Sequence, residues 1–490
     1  MKPSTAKKHP NIVLAIVVIG VLMSAIDISI VILALPTIDS SLHAGTATSI
    51  WIIMAYLLVI TVLSTQIGKL GDKYGKERMF TYGLVIFTLG SLVCGLAINI
   101  NMLVGSRILQ AVGGALLGAT GTAVVSDYFE PHKRGRAFGF TAMGYNIGAV
   151  LGIFLGGFLS VINWRLIFLI NLPIGAVVIA LALKYLNDIS ARKDERFDMV
   201  GSVLFGATLT LLSVFAVIFT YAGMSIVNMA ILASALIFLA AFLIIERNKS
   251  SPIMDYSIFK NRVLALSMLS SVLQFMASFA VLFLLIIYMQ GVRGVNPFTS
   301  SLYLLPGYLI GAFLSPFTGR LSDKMDIRIP TTIGLSLILC SYLLYITFLT
   351  ASSPLYYVAI ITLFSGIGAS MFFPSNMNAI MGNAPKDKYG VVSGINRTLN
   401  NIGMTLSFVM VLTVVSLSIP RATAMAIFLG SQIGGLSATL TTPFVYGMHA
   451  ALYSSAVLIG IAIFVSLFRG RSDFGPNAGR AISPVGPSID

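Results

Sequence analysis

Apolar runs of about 20 residues recur from one end of the chain to the other, parted by short polar segments. A helix of that length crosses the roughly 30 Å hydrocarbon core of a bilayer at about 1.5 Å per residue. The runs are continuous and do not alternate, which excludes the short strands of a membrane β-barrel. They predict fourteen spanning helices, near residues 12–35, 48–67, 79–98, 102–127, 136–160, 165–186, 198–218, 227–246, 263–290, 298–318, 329–350, 354–381, 391–416 and 445–468. The first run resembles a secretory leader at its start, but it continues without a small-x-small cleavage site before Asp27 and is expected to stay as a span. Residues 417–444 are too apolar for a solvated loop and too short for two further spans, so a glycine-turned hairpin at the outer face is expected there.

A repeat organises these spans. GKLGDKYGKER from Gly68 and GRLSDKMDIR from Gly319 share Gly, Leu, Asp and Lys at matching offsets, each at the same end of a span. Two related halves in one orientation follow. Eight spans separate the loops where a duplicated six-span unit would give six, so one pair has been inserted. The expected fold is all-α: a six-helix bundle over 12–187, an inserted pair over 198–246 and a second six-helix bundle over 263–468. Tails cover residues 1–11 and 469–490, the second expected to lack structure.

Composition agrees with this class. Hydrophobic residues make up 57% of the 490 and charged residues 10%, and the mean hydropathy is +0.93, far too apolar for a soluble globule. The net charge of +14 is distributed by topology. Lysine and arginine crowd alternate loops, such as Lys69 to Arg78, Lys133 to Arg136 and Arg320 to Arg328, while the others hold Arg165, Arg293 and Arg421. By the positive-inside bias both termini lie in the cytoplasm of a cell (inner) membrane protein, and no nucleic-acid partner is expected. Cys94 and Cys340 fall in separate spans and His9, His43, His132 and His449 are scattered, so no metal, cofactor or enzymatic centre is expected. A monomer in the lipid bilayer is expected.

Asp27 carries the chemistry. A carboxylate at membrane depth costs several kcal/mol and marks a proton, ion or substrate site by default. Counted at 1.5 Å per residue, Asp27 lies roughly 12 Å from the outer end of its span and Arg107 roughly 8 Å from the outer end of the fourth. Two isolated opposite charges at similar depth are expected to pair or to share one cavity. Gly114 and Gly118 in span four, and Gly144, Gly148 and Gly152 in span five, form small-residue rows suited to close helix packing.

Five segments together resemble the major facilitator superfamily, and within it the fourteen-span drug:proton antiporter branch. They are IDISIVILALP around Asp27, the Gly68 loop, GSRILQAVGGALLG around Arg107, WRLIFLINLPIG from Trp164, and YMQGVRGVNPFTSSLYLLPG from Tyr288 leading to the Gly319 loop. The resemblance implies proton coupling by Asp27 and Arg107 and export of small amphipathic or drug-like compounds by alternating access. It also implies a conformational latch of Gly68, Asp72, Gly75 and Arg78, to which Asp127 and Arg136 are added by charge. An uptake symporter or uniporter on the same fold is the alternative. Two departures bear on this: Ile153 follows Gly152 where the branch has proline, and the tenth and thirteenth spans hold Tyr303, Tyr308, Asn396, Arg397, Asn400 and Asn401 where some drug exporters have acids. Candidate cavity residues for a small-molecule substrate are Met23, Tyr56, Gln110, Asn146, Gln274, Phe275, Phe279, Tyr303, Asn376, Asn378 and Arg397, a mixture of adaptable apolar groups and orienting amides.

Overall fold

The computed structural model describes residues 9–43, 46–49, 51–186, 198–223, 225–247, 249, 256–420, 424 and 438–470. Fourteen long helices run through them: α1 Pro10–Leu42, α2 Trp51–Tyr74, α3 Lys76–Gly95, α4 Ile100–Tyr128, α5 Pro131–Ile162, α6 Asn171–Tyr185, α7 Met199–Ala222, α8 Ile226–Arg247, α9 Arg262–Ile287, α10 Pro297–Ser322, α11 Arg328–Phe348, α12 Tyr356–Gly382, α13 Tyr389–Val415 and α14 Ala438–Phe468. With the short helix Leu166–Leu169 joined to α6, all fourteen have the length and apolar character to cross a membrane. The centre of the expected hairpin and the tail after Gly470 lie outside the described residues. α1 continues seven residues beyond its expected end at Leu35, and α14 begins seven before Val445. In both places the polar or proline-bearing turn is still helical, because helices extend past the hydrocarbon as readily as within it.

The buried cluster led by Phe80, Phe87, Leu84 and Tyr56 lies mostly in the first half and runs into the second at Met268, Ile380, Tyr389 and Ile395, while Tyr288, Tyr345, Phe372 and Phe444 belong to a cluster within the second half. The halves meet where α5 packs along α10 and α2 along α13. The inserted helices pair with each other, and α7 also touches α2 and α13, covering one seam. α8 stays peripheral, with Ile226, Ile237 and Ile244 on its exposed face.

The glycine row of α5 seats α1. Positions for Cβ atoms at Gly144, Gly148 and Gly152 fall against the backbone at Val18, Leu22 and Ile26. Both rows have a spacing of four, so the ridges interdigitate at close range. That contact fixes the rotation of α1 and turns Asp27, next to Ile26, towards α4.

Candidate functional site

Arg107 and Asp27 meet in a fully enclosed site. Asp27 is 0% and Arg107 1% exposed, and Arg107 Nη1 lies 2.6 Å from Asp27 Oδ2. Gln110, one turn along α4, completes the arrangement. Its Nε2 donates to Asp27 Oδ1 at 2.8 Å, and its Oε1 accepts from Arg107 Nη1 at 2.6 Å. Arg107 Nε donates to the Ile52 carbonyl at 3.1 Å, and its guanidinium stacks 4.1 Å from the centroid of the Tyr56 ring. Ser91 accepts from Gln110 Nε2 and from Asn171 Nδ2. Four helices of the first half, α1, α3, α4 and α6, therefore supply one polar network in an apolar core, with α2 giving the ring and the carbonyl. Each carboxylate oxygen therefore has a donor, Arg107 on one and Gln110 on the other.

At the end of the bundle that carries the two repeated loops, the halves are closed on each other twice. Asp72 accepts the backbone N–H groups of Gly390 at 2.9 Å and Val391 at 2.8 Å, at the start of α13. Asp323, its counterpart in the repeat, accepts those of Gly135 at 2.8 Å and Arg136 at 3.0 Å, near the start of α5. Positive partial charge at a helix start favours a carboxylate there. Glycine makes the approach possible: a Cβ on Gly68 would overlap the Gly390 carbonyl, and one on Gly319 would overlap the Gly135 carbonyl. Gly75, at φ 106°, turns α2 into α3, which brings Lys76 within 2.7 Å of Asp127 and 3.4 Å of Asp72. Tyr389 of the second half sits between two first-half cations, 5.3 Å from Lys76 Nζ and 4.9 Å from the Arg134 guanidinium. Burial raises the Asp323 carboxyl from 3.8 to about 6, against the opposing effect of its amide donors.

The structure corrects three of the expected placements. Arg136 contributes only its backbone here; its side chain is exposed and lies over Phe140. Arg134 is the buried arginine, donating to the carbonyls of Ser126, Phe129 and Met381, because residues two apart on a helix face nearly opposite sides. Asn376 and Asn378, expected in the cavity, lie at the latch end instead. Asn376 accepts from Arg469, whose burial lowers its guanidinium to about 10, and donates to the Ser267 carbonyl. Asn378 donates to Ser322 and Asp323. Both fall in the last two turns of α12, beyond the depth of the site. Arg78 is exposed at the start of α3.

The other expected cavity residues spread over both halves. Met23 is buried in the core of the first, and Asn146 Nδ2 reaches towards Gly311 of α10. On α9, Gln274 donates to Ser278, Phe275 packs 5.4 Å from Phe373, and Phe279 lies 5.4 Å from Phe408. Tyr303 packs against the second-half core. Arg397 reaches across from α13 to Gly118 of α4. Residues that the sequence did not single out are Ser91, Asn171, Lys76, Arg134, Tyr389 and Asp323; Lys76 and Asp323 had a signal, their places in the repeated loops.

A sequence profile described as Major Facilitator Superfamily matches residues 17–408. The chain belongs to that superfamily. This major facilitator is 33% identical over 401 residues to the riboflavin transporter RibZ of Clostridioides difficile (strain 630), covering 81% of this chain and 87% of that protein. It is also 33% identical over 394 residues to the multidrug resistance protein Stp of Mycobacterium tuberculosis (strain CDC 1551 / Oshkosh), covering 80% and 73%. Among solved structures it resembles the human organic anion transporter MFSD10 (TETRAN), with a TM-score of 0.65 over 93% of this chain and 99% of that one, at 15% identity. That likeness concerns the fold alone. As a major facilitator the chain is a multi-pass membrane transporter.

Proposed function

We propose that this transporter exports small amphipathic or drug-like compounds in exchange for protons, by alternating access of its two six-helix halves as a monomer. The observation that carries the reading is the enclosed Asp27–Arg107–Gln110 network. A carboxylate so placed has two stable conditions, ionised with Arg107 or protonated without it, and a helix movement that separates the pair converts one into the other. The likeness to Stp supports export of drug-like compounds. In this reading the latch end, the basic loops and both termini face the cytoplasm, and the state described is the one closed on that side. Purified protein in proteoliposomes with an imposed pH gradient tests it: substrate should move uphill against proton flow, and flow of both in the same direction would overturn exchange.

Uptake of a small metabolite together with a proton is the second reading. The likeness to a riboflavin transporter favours it. The sign of the flux in the same vesicles separates the two.

A further inference from the structure

Among the described residues Arg397 is a cation without a counter-ion. It lies about 12 Å along α13 from Tyr389, in the interior of the bundle. The described carboxylates nearest in the first half are already engaged, Asp27 by Arg107 and Asp72 and Asp127 by Lys76. Among the described residues Arg397 forms no ion pair, and its Nε is buried without a hydrogen-bond partner. Such a guanidinium is expensive at membrane depth, and its unmade bond adds to that cost. Structural arginines of this chain show the contrast: Arg107, Arg134 and Arg469 each donate to several acceptors.

Three unpaired buried groups able to donate lie around Arg397 on the side that faces α4, beside the unpaired carbonyl oxygens of Asn396 and Asn400 on α13 itself. Arg397 Nε lies 3.0 Å from where a Cβ of Gly118 would stand, so the guanidinium rests on bare α4 backbone. One turn along α4, about 6 Å away, the Tyr56 hydroxyl occupies the equivalent place over Gly114, and it too is buried without a partner. Asn401, one turn from Arg397 on the same side of α13, has a buried Nδ2 with no acceptor. Continuing along that face, Phe408 packs against Phe279 and Phe283 at 5.4 and 4.8 Å. An apolar aromatic surface thus continues the face of α13 on which Arg397 and the unpaired Asn401 amide lie, with the Tyr56 hydroxyl opposite.

We propose that Arg397, Tyr56 and Asn401 bind the anionic head of the transported compound, which is a monoanionic amphiphile: a carboxylate or sulfonate on an aromatic body lying against Phe279, Phe283 and Phe408. The planar fork of guanidinium matches a carboxylate or sulfonate in two parallel bonds. A cationic compound would meet Arg397 with no described carboxylate paired to it. The assignment rests on the reading that a small molecule is carried through the centre of the bundle, and it is independent of transport direction and of proton coupling.

The test is equilibrium binding to the full chain in lipid nanodiscs, without any gradient, using 2-naphthoate and 2-naphthylmethylammonium as probes matched in shape and opposite in charge. The wild-type protein should bind naphthoate at least tenfold more tightly than the ammonium compound, a comparison that needs no variant. Arg397→Gln should weaken naphthoate at least tenfold, with Arg397→Lys in between. Equal or reversed preference, failure of both probes to bind at millimolar concentration, or unchanged naphthoate affinity in Arg397→Gln would overturn the proposal. Naphthoate binding through Arg397 without pH-driven flux would sink proton coupling alone. Proton-driven flux of cations with no naphthoate binding would sink the Arg397 assignment alone.

Discussion

Gln110 bridges Asp27 and Arg107 as well as the two groups bridge each other: it donates to the carboxylate at 2.8 Å and accepts from the guanidinium at 2.6 Å. The pair is therefore held at three points, and in the proposed cycle a movement that parts Asp27 from Arg107 must displace an amide along with an arginine.

Replacing Asp27 by Asn keeps the shape of the network and removes its titrating group. Uphill transport driven by a pH gradient should fall at least about 100-fold, the lower end of the range for losing a positioned acid or base, while downhill exchange persists. Substrate accumulation in proteoliposomes measures it. Retained accumulation would place coupling elsewhere.

For Arg107→Lys the charge remains but the geometry does not. An ammonium cannot bond Asp27, Gln110 and the Ile52 carbonyl at once while stacking on Tyr56. Coupled transport should drop by about tenfold or more, as expected where a multiply bonded arginine is changed to lysine. Wild-type rates in this variant would make the pair a mere fastening between helices.

The two latches should respond alike. Asp72→Ala and Asp323→Ala each leave two backbone amide donors without their acceptor, at about 1–3 kcal/mol for each group that is buried, and each should raise the accessibility of cysteines introduced at that end. Gly390→Ala should act in the same direction by overlap, at a cost of about 1–3 kcal/mol. Unchanged labelling in all three would remove the latch from the mechanism.

A pH effect follows from Asp323. Its carboxyl is raised to about 6 in the closed arrangement against 3.8 ordinarily, so the closed latch binds the proton more tightly than an open, solvated one. Closure should strengthen as pH falls from about 6 towards 4 and weaken as pH rises through 6. Cysteine labelling at that end across this range should show the trend in the wild type and lose it in Asp323→Asn.

Much of this architecture was legible in the residues, and what was hidden had a physical reason. Fourteen apolar runs are visible because a bilayer demands continuous apolar helix. Asp27 and Arg107 could be matched by counting rise, since both stand out against apolar neighbours. The receiving side of each latch could not be read, because Gly390, Val391, Gly135 and Arg136 are gripped through backbone N–H groups that every residue possesses. Asn376 and Asn378 show the limit of residue type as a guide: amides suit a cavity and a helix terminus equally, and only tertiary depth decides. Arg134 and Arg136 show the limit of charge, since rotation about the helix axis selects one of them for the interior.

The first latch is borne by the first half and grips the second; the other is borne by the second and grips the first. Neither half is then the frame and neither the door. Each set of bonds can fray locally without parting the bundles, because the reciprocal set still holds them. A breach at that end requires both to be undone together, so its frequency is set by two improbable events in place of one. For the proton exchange proposed above, such redundancy is insurance against slippage, the idle passage of protons with no cargo to show for them.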